Sequence, residues 1–557
     1  MTWEKFRAEC ARIIGAHASL LEVPPREVDA DLAFPCFSLA KEQKKNPMEI
    51  SKELEAAAKK KRTELVKDVK AAGPYVNFYI NHEKFSPALI NEIIKQKQKY
   101  GSGEKKKEKI MIESPGPNTN KPLHLGHVRN IVLGSSLANI YEFLGHTVVR
   151  VDIVNDRGIH ICKSMMAYEK FGDEKEPDKK PDHFVGDYYV LFSKKLEGQP
   201  DTEEELRKML LDWEAGDKKV RELWKKMNGW AISGFNETYT RLGMHIDKAY
   251  YESEHYMDGK EIVVKGLKAK IFKKDNDGNI VIDLGDSNLG TRVLLRADGT
   301  SVYITQDMAL AIKRYNEFHM DKMIYVVGEE QIAHFNALFK VLEILGYKFA
   351  NNCYHLSYGM VNLPEGKMKS REGTVVDADD LMDEMHKMAE NKIMERSEIP
   401  EKEMNDRAEK IGMAALKYFI VKFDPNKSIT YDPKASIEFE GDTGPYLQYT
   451  YARANSIIKK SNKNLSKNPS FFQKIEFDII KKLSQFQEIL NKSAGDYRPN
   501  VLANYLFELS SLFNEFYHAV KVVGEKEEGD RLALVNSVMY VIENGCRLLG
   551  IEVIKEM

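Results

Sequence analysis

The sequence predicts a multidomain α/β protein in which a parallel sheet flanked by helices lies between a small α/β module and an all-α bundle. Three observations support this prediction. Apolar runs at 109–113, 146–153 and 323–328 each indicate a buried strand, and helical periodicity separates them. Nearly every segment after residue 376 has helical periodicity. A chain of 557 residues is also too long for one hydrophobic core, so it must divide into domains.

The clearest pattern surrounds the stretch 117–127. A strand at Lys109–Glu113 precedes it, and an apolar helical period follows it as far as Leu144 and stops at Gly145. A second strand comes directly afterwards, at 146–153. This order is the β–loop–α–β unit of Rossmann-type nucleotide-binding domains.

We predict three domains from these shifts in pattern. Residues 1–103 form an N-terminal α/β domain, which a polar linker at 101–107 separates from the next. Residues 104–376 form the Rossmann-type domain, and an insertion at about 170–300 splits its two halves. Residues 377–557 form the helical bundle.

Local signals predict the remaining elements in order. In the first domain, an amphipathic helix at 3–21 ends before two prolines, and a Gly-Pro turn precedes a strand at 75–80. In the second half of the Rossmann-type domain, a strand gives way to a helix near 303, and the strand 323–328 is followed by a helix and another strand. The bundle contains helical periods at 377–395, 405–422, 473–496, 499–522 and 529–549.

The loop after the first central strand concentrates groups that suit an anion. Lys121, His124 and His127 lie there, and residues three apart share one helix face, so both imidazoles can reach the same ligand. The helix N-terminus adds unpaired N–H groups and a partial positive charge. Gly126 allows a ligand to approach the backbone. Together these features favour a bound polyphosphate over a pair of ordinary histidines.

Two further sites follow from residue types and positions. Glu329 and His334 come after the strand 323–328, and ligands of parallel sheets bind beyond the carboxyl ends of strands. Tyr303 and Asp307 lie four residues apart near a predicted helix start. Asp307 could cap that helix, or the pair could hold a guanidinium by a forked ion pair and stacking.

Composition excludes several classes of protein. The formal net charge is −2, so any surface that binds nucleic acid must be local. No run is long enough to span a bilayer, and the first residues lack the apolar core of a signal peptide. The five cysteines are far apart and form neither a zinc knuckle nor a disulfide frame. We therefore expect a cytoplasmic protein without a protein-bound metal.

Two ordered motifs resemble the signatures of class I aminoacyl-tRNA synthetases. The first is His-Leu-Gly-His at 124–127, and the second is Lys-Met-Lys-Ser-Arg-Glu-Gly at 367–373. Within that class, the run 113–134, the N-terminal domain and the run 441–453 resemble arginyl-tRNA synthetases. The resemblance covers nearly the whole chain and is weakest in the predicted insertion.

The chain departs from the family pattern at two places. Asn155-Asp156-Arg157-Gly158 stands where the family usually shows a turn of the Gly-Asp-Trp-Gly type. In the second signature, Ser370 replaces the usual second lysine, and Lys369 replaces a serine. Either Lys121 or Lys369 is expected to supply the missing positive charge.

The resemblance also implies a role for each matched residue. The expected catalytic residues are Lys121, His124, His127 and Lys367, and the expected ATP-binding residues are Pro117, His124, Gly126, His127, Glu329, His334, Lys367 and Lys369. The expected arginine-binding residues are Glu113, Asn118, Tyr303, Asp307 and Gln331. Tyr446, Gln448, Tyr449 and Arg453 are expected to bind tRNA by stacking and charge, although the two tyrosines could equally belong to the core of the bundle.

The implied function is ATP-dependent ligation of L-arginine to its tRNA through an arginyl-adenylate, with release of AMP and pyrophosphate. ATP would act with Mg²⁺, and the partners would be L-arginine and an arginine-accepting tRNA, with no DNA, no membrane and a monomeric chain. Three alternatives remain open. They are a class I synthetase for another amino acid, another adenylyl- or nucleotidyltransferase on the same fold, and a tRNA-binding paralogue without catalysis.

Overall fold

The computed structural model of the protein describes residues 2–25, 27–59, 61, 63–362, 376–395, 399–471 and 473–557. The N-terminal domain has a three-stranded antiparallel sheet in the order β1-β3-β2. Its elements are α1 (Thr2–Ile14), β1 (Leu32–Pro35), α2 (Phe37–Gln43), α3 (Pro47–Ala58), β2 (Val66–Ala72), β3 (Tyr75–Ile80) and α4 (His82–Gln96). The helix predicted at 3–21 was too long, because Gly15 takes a left-handed conformation (φ +72°) that ends α1.

The first half of the central domain follows the predicted strand–helix–strand order and then becomes helical. Its elements are β4 (Lys109–Glu113), α5 (Leu125–Phe143), β5 (Thr147–Val154), α6 (Ile159–Phe171), α7 (Pro181–Lys195), α8 (Thr202–Ala215), α9 (Lys218–Leu242) and β6 (Lys248–Tyr251). The strand β6 pairs with β5 in parallel. Within the predicted insertion the chain therefore returns once to the main sheet.

The second half of the central domain begins with a small antiparallel sheet, β7-β8-β9, and ends with two parallel strands. Its elements are α10 (Glu252–His255), α11 (Gly259–Lys268), β7 (Lys273–Lys274), β8 (Ile280–Asp283), β9 (Thr291–Leu295), α12 (Tyr303–Phe318), β10 (Lys322–Gly328), α13 (Ile332–Ile344) and β11 (Cys353–Tyr358). The main sheet has the order β11-β10-β4-β5-β6, and every neighbouring pair is parallel. Its strands therefore present their carboxyl ends at one edge, where ligands of such sheets bind.

The remaining chain is helical, apart from a short parallel pair formed by β12 and β13. Its elements are β12 (Val361–Asn362), α14 (Ala378–Met394), α15 (Glu401–Val421), β13 (Ile429–Thr430), α16 (Pro433–Ser436), α17 (Gly444–Lys460), α18 (Lys474–Ser484), α19 (Phe486–Gly495), α20 (Pro499–Ala519) and α21 (Glu528–Leu548). The period predicted at 473–496 is divided into α18 and α19.

Helix α5 lies between the sheet and the bundle, which explains why it is apolar on nearly all sides. Asn139 donates to the Leu548 carbonyl (3.3 Å), and Tyr141 donates to the Ala494 carbonyl (2.8 Å). The helix that begins at the first signature is thus attached to the bundle near its C-terminal end. Among the described residues, no helix combines the length and apolar character that crossing a membrane requires.

Candidate active site

The two signature histidines cap the N-terminus of α5 together. The Nδ1 atom of His124 accepts a hydrogen bond from the Gly126 N–H, and the Nδ1 atom of His127 accepts one from the His124 N–H, both at 3.1 Å. The ring centroids lie 3.9 Å apart, so both imidazoles can contact one ligand. Gly126 is needed here for a further reason, since a Cβ at this position would lie 2.9 Å from the His124 ring.

Both imidazoles are neutral at physiological pH. Burial, together with the Lys121 charge, lowers the pKa of His124 to about 4. Burial and the charges of His124 and Lys121 hold the pKa of His127 well below its usual value. Because each Nδ1 accepts a backbone N–H, the remaining proton of each ring is on Nε2. The pair therefore offers two N–H donors to a ligand, and Lys121 contributes the positive charge.

The loop before the histidines is attached to the end of β5. Gly116 donates its N–H to the Asp152 carboxylate (2.9 Å), and Asn155 donates its N–H to the Pro117 carbonyl (2.9 Å). Asn118 forms a parallel bridge with Asn155. Pro117 and Asn118 consequently lie at the carboxyl ends of β4 and β5, at the same edge of the sheet as the histidines.

Asp307 and His334 are in direct contact, although the sequence assigned them to different ligands. The Asp307 carboxylate lies 2.6 Å from His334 Nε2, and both side chains are partly exposed. Tyr303 is the first residue of α12, one turn before Asp307, and is 76% exposed. Asp307, which is predicted to bind a guanidinium, and His334, which is predicted to lie on the adenosine side, are therefore neighbours.

The other predicted arginine-binding residues differ in their surroundings. Glu113 is buried and forms an ion pair with Arg314 of α12, so an internal guanidinium already occupies one side of its carboxylate. Gln331 and Glu329 are exposed in the turn between β10 and α13. Of the predicted set, Asp307 and Tyr303 are therefore the best placed to meet a substrate cation.

Glu252 is a carboxylate at this edge that the sequence reasoning missed. It directly follows β6, and burial raises its pKa to about 7, with the Arg157 charge opposing this rise and the Asp156 and Asp307 charges adding to it. Asp307 therefore lies near enough to Glu252 for the two charges to interact. The position of Glu252 directly after a strand of the parallel sheet could have identified it. That strand was not recognised, because it lies within the predicted insertion.

Lys367 and Lys369 of the second signature lie outside the described residues, but both flanks of that segment contact the first signature. After it, Val376 accepts the Leu125 N–H (2.9 Å), and Ala378 donates to the Leu123 carbonyl (3.0 Å). Before it, Arg129 of α5 donates to the carbonyls of Gly359 (2.7 Å) and Met360 (3.1 Å). The described residues on both sides of the second signature therefore lie against the first signature and its helix.

Arg129 is fully buried, and its guanidinium donates to four backbone carbonyls. The other two acceptors are Pro425 (3.0 Å) and Lys427 (2.7 Å), which precede β13. Burial lowers the pKa of Arg129 to about 10. A planar guanidinium can join the segments before β12 and β13 in this way, whereas a lysine offers its three donors from a single point.

We expect Arg129→Lys to lower the free energy of unfolding by about 2–4 kcal/mol, because at least two charge-assisted hydrogen bonds are lost. It should also lower the kcat of ATP–pyrophosphate exchange, because the flank of the second signature loses its attachment. Thermal unfolding and exchange kinetics measure the two effects. Arg531→Lys in the bundle, where Arg531 pairs with Glu476 (3.1 Å), is the matched control and should affect stability alone. An Arg129→Lys variant with wild-type stability and kcat would contradict this interpretation.

Among the described residues, one group has its possible ligand atoms spaced as in a metal site. A lysine ammonium, however, already lies between its carboxylates and supplies the positive charge that a metal ion would bring. Asp182, His183 and Asp379 have ligand atoms within 4.8 Å of one another. The Lys180 ammonium lies 3.0 Å from Asp182 and 2.7 Å from Asp379. The group attaches α7 to the start of α14, close to the first signature, and is best described as a buried ion-pair network.

The four residues predicted to bind tRNA do not form one surface. Gln448 is fully buried and donates to the carbonyls of Lys410 (3.1 Å) and Glu552 (2.7 Å). Its assignment to tRNA binding is therefore corrected, because its amide holds the C-terminal segment against α15. Tyr446, Tyr449 and Arg453 are partly exposed, and the Arg453 guanidinium lies 4.4 Å from the Tyr449 ring centroid.

A parallel sheet with paired histidines at the start of α5 fits a class I aminoacyl-tRNA synthetase, and the family models distinguish this class from other nucleotidyltransferases of the same fold. The family model "tRNA synthetases class I (R), catalytic domain" matches residues 89–430. The models "Arginyl tRNA synthetase N terminal domain" and "DALR anticodon binding domain" match residues 4–80 and 447–557. The chain belongs to the arginyl-tRNA synthetase family.

Known proteins of this family are similar along the whole chain. Arginine–tRNA ligase of Treponema denticola is 43% identical over 100% of this chain and 99% of that protein, and the ligase of Bacteroides thetaiotaomicron is 42% identical over 96% and 95%. The arginyl-tRNA synthetase structure from Thermus thermophilus superposes with a TM-score of 0.86 at 25% identity, covering all of both chains. The protein is thus an enzyme that ligates arginine to tRNA and uses ATP, and the reading as an arginine–tRNA ligase is preferred to the alternatives.

Proposed function

We propose that one cleft at the carboxyl edge of the main sheet carries both steps of arginine–tRNA ligation. The observation that supports it is the placement of His124 after β4, Glu252 after β6 and Glu329 after β10, because these strands belong to one parallel sheet. The phosphate-binding histidines, a residue of the ATP side and a carboxylate for the substrate cation therefore lie at one edge.

In the first step, the arginine carboxylate oxygen attacks the α-phosphorus of ATP, and the bond from that phosphorus to the bridging oxygen breaks. Pyrophosphate leaves with the electron pair, and arginyl-adenylate remains. His124 and His127 donate hydrogen bonds from their Nε2–H groups to the phosphates as charge develops, while Lys121 and Lys367 neutralise the leaving group. No side-chain nucleophile is needed, because positioning and charge stabilisation do the work. Mg²⁺ arrives with ATP and not at a protein-bound site.

In the second step, a hydroxyl of the terminal tRNA adenosine attacks the acyl carbonyl, and AMP leaves. Specificity for arginine comes from Asp307 and Glu252, whose charges interact across the pocket, with Tyr303 available for stacking. A planar cation with several donors can pair with two carboxylates, whereas lysine would leave one partly unpaired. Rejection of lysine therefore requires no editing domain.

Aminoacylation of bulk tRNA by the full chain with labelled arginine tests this proposal directly. We expect acylation with arginine and none with lysine, and ATP–pyrophosphate exchange that depends on arginine. Equal exchange with several amino acids would refute the arginine pocket. Acylation that survives the loss of both His124 and His127 would refute the role of the histidines.

Two substitutions can show which lysine compensates for the lysine that Ser370 replaces in the second signature. We expect Lys121→Ala to lower the rate of adenylate formation about a hundredfold, since it removes one cation from the leaving group. Lys369→Ala should then have an effect of less than about fivefold. Single-turnover adenylate formation measures both rates. A mild effect of Lys121→Ala together with a severe effect of Lys369→Ala would assign the role to Lys369.

The remaining assignments complete the proposal. The domains are the N-terminal tRNA-contacting domain (1–103), the catalytic domain (104–376) and the anticodon-binding domain (377–557). Tyr446, Tyr449 and Arg453 contact tRNA in the last of these. Pro117, Gly126, Glu329 and His334 serve the ATP side, and Glu113, Asn118 and Gln331 the arginine side. The enzyme acts in the cytoplasm as a monomer, without DNA or a membrane as partner.

A further inference from the structure

The turn at 155–158 differs from the family pattern, and its Arg157 has an unusual set of neighbours. The guanidinium lies 2.6 Å from Glu214 of α8, 4.0 Å from the ring centroid of Tyr256 and 5.4 Å from that of Trp213. Its side chain is only 11% exposed. Arg157 is thus held by two aromatic faces and by a carboxylate that belongs to the helical insertion.

On its other side, Arg157 faces the proposed arginine pocket. Its Nη1 atom lies 3.7 Å from an Oε1 atom of Glu252, whose side chain is 17% exposed. That distance exceeds a hydrogen bond, so Arg157 supplies positive charge without the forked contact that would occupy both carboxylate oxygens. The oxygens of Glu252 therefore remain able to accept from a ligand.

Asp156 fixes the same turn against the residues around Glu252. Its carboxylate accepts from the Ser253 N–H (2.8 Å) and the Ser253 hydroxyl (2.6 Å). Its carbonyl accepts from the indole N–H of Trp224 (2.6 Å) and the amide of Asn228 (3.3 Å), both on α9. The turn is therefore attached both to the insertion and to the segment that carries Glu252.

We propose that Arg157 is a positioning residue for arginine recognition, which holds the Glu252 carboxylate in place, favours its charged form and connects it to the helical insertion. This inference depends on the proposed function, in which Glu252 and Asp307 receive the substrate guanidinium. Two carboxylates that face one pocket repel each other, so a fixed cation behind one of them stabilises the pair before the substrate arrives. The substrate then meets a pocket that is already organised.

The pH dependence of arginine use gives a readout that a merely structural role would not change. The charges that act on Glu252 are those of Arg157 and Asp156 in the turn and Asp307 on α12, while Glu214 on α8 pairs with Arg157 and Glu254 on α10 acts on Asp156. Burial raises the pKa of Glu252 to about 7, so kcat/KM for arginine should fall as the pH drops below that value and Glu252 is protonated. Loss of the Arg157 charge should raise this pKa, and the acid limb should move to higher pH.

The experiment uses the full chain in ATP–pyrophosphate exchange with tRNA present. We expect Arg157→Gln to raise the KM for arginine about tenfold while the KM for ATP changes less than about twofold. Arg157→Lys keeps the charge, so it should hold the acid limb near its wild-type position. In the Glu252→Gln background, Arg157→Gln should add no further increase, because it acts through Glu252. The matched control is Glu197→Gln, which removes an ion pair to Lys163 (3.0 Å) in the helical region and should change none of these values.

The possible results separate this inference from the proposed function. If Glu252→Gln leaves the arginine KM unchanged, the proposed pocket is wrong. If Glu252→Gln raises that KM but Arg157→Gln does not, the positioning role is overturned. It is also overturned if Arg157→Gln raises the arginine KM as much in the Glu252→Gln background as in the wild type. If Arg157→Gln does not fold, Glu214→Gln decides, because Glu214 holds the Arg157 guanidinium in place. A rise in arginine KM with an unchanged ATP KM in Glu214→Gln supports the role, and no rise overturns it.

Discussion

Replacement of Asp307 by asparagine is expected to raise the KM for arginine about a hundredfold, because a neutral amide cannot pair with the guanidinium. The KM for ATP should change less than about threefold, since the phosphate-binding groups lie at α5. Steady-state pyrophosphate exchange with tRNA present measures both constants. The Asp307 carboxylate is about one-third exposed, so solvent weakens its ion pair with the substrate. The expected increase in KM is therefore smaller than a fully buried carboxylate would give.

The matched control for Asp307 is Asp321→Asn. Asp321 precedes β10 at the opposite edge of the sheet, where its carboxylate accepts the Lys109 N–H (2.8 Å). This variant should leave the arginine KM unchanged. Comparable losses for arginine and ATP in the Asp307→Asn variant would instead indicate that the Asp307–His334 contact mainly supports the fold.

Replacement of His127 by asparagine is expected to lower the kcat of adenylate formation about a hundred- to a thousandfold, the usual loss for one donor to a developing oxyanion. The asparagine carbonyl can still accept the His124 N–H, so the cap of α5 survives. What is lost is the Nε2 donor. Single-turnover kinetics measure kcat, and equilibrium binding of arginine should be nearly unchanged.

Two comparisons make the His127 result decisive. His127→Ala removes both the donor and the capping acceptor, so it should lose stability by about 1 kcal/mol in addition to kcat. His17→Asn replaces a capping histidine of the N-terminal domain, which accepts the Ser19 N–H, and should not affect kcat. If His127→Asn keeps wild-type kcat, the imidazole is only a cap.

The sequence predicted the first β–loop–α–β unit well because its signals are local. The strand at Lys109–Glu113 matches its predicted limits, and the helix after His124 ends before Gly145, which has a φ of +88°. The contact between His124 and His127 also follows from their spacing along one turn. Such features depend on residues within a few positions of each other.

The features that the sequence missed depend on distant residues. Glu252 reaches the site because β6 returns to the sheet and pairs with β5. The two strands are nearly a hundred residues apart in the chain, and β6 has only four residues, so its sequence pattern is too short to predict the strand. Asp307 and His334 meet because α12 and α13, which precede and follow β10 in the chain, pack against each other in one core cluster. Gln448 has the polarity of a surface residue, yet its amide is buried against two carbonyls.

By itself, the sequence determined the class of fold and the family, and it predicted the residues that contact phosphate, because hydrophobic periodicity and short motifs are properties of neighbouring residues. Only the tertiary structure decided how the histidines are protonated, which carboxylates lie at the same edge of the sheet and which polar side chains are internal. Those properties depend on burial and on charges brought close by folding, and neither can be read from positions that are far apart in the chain.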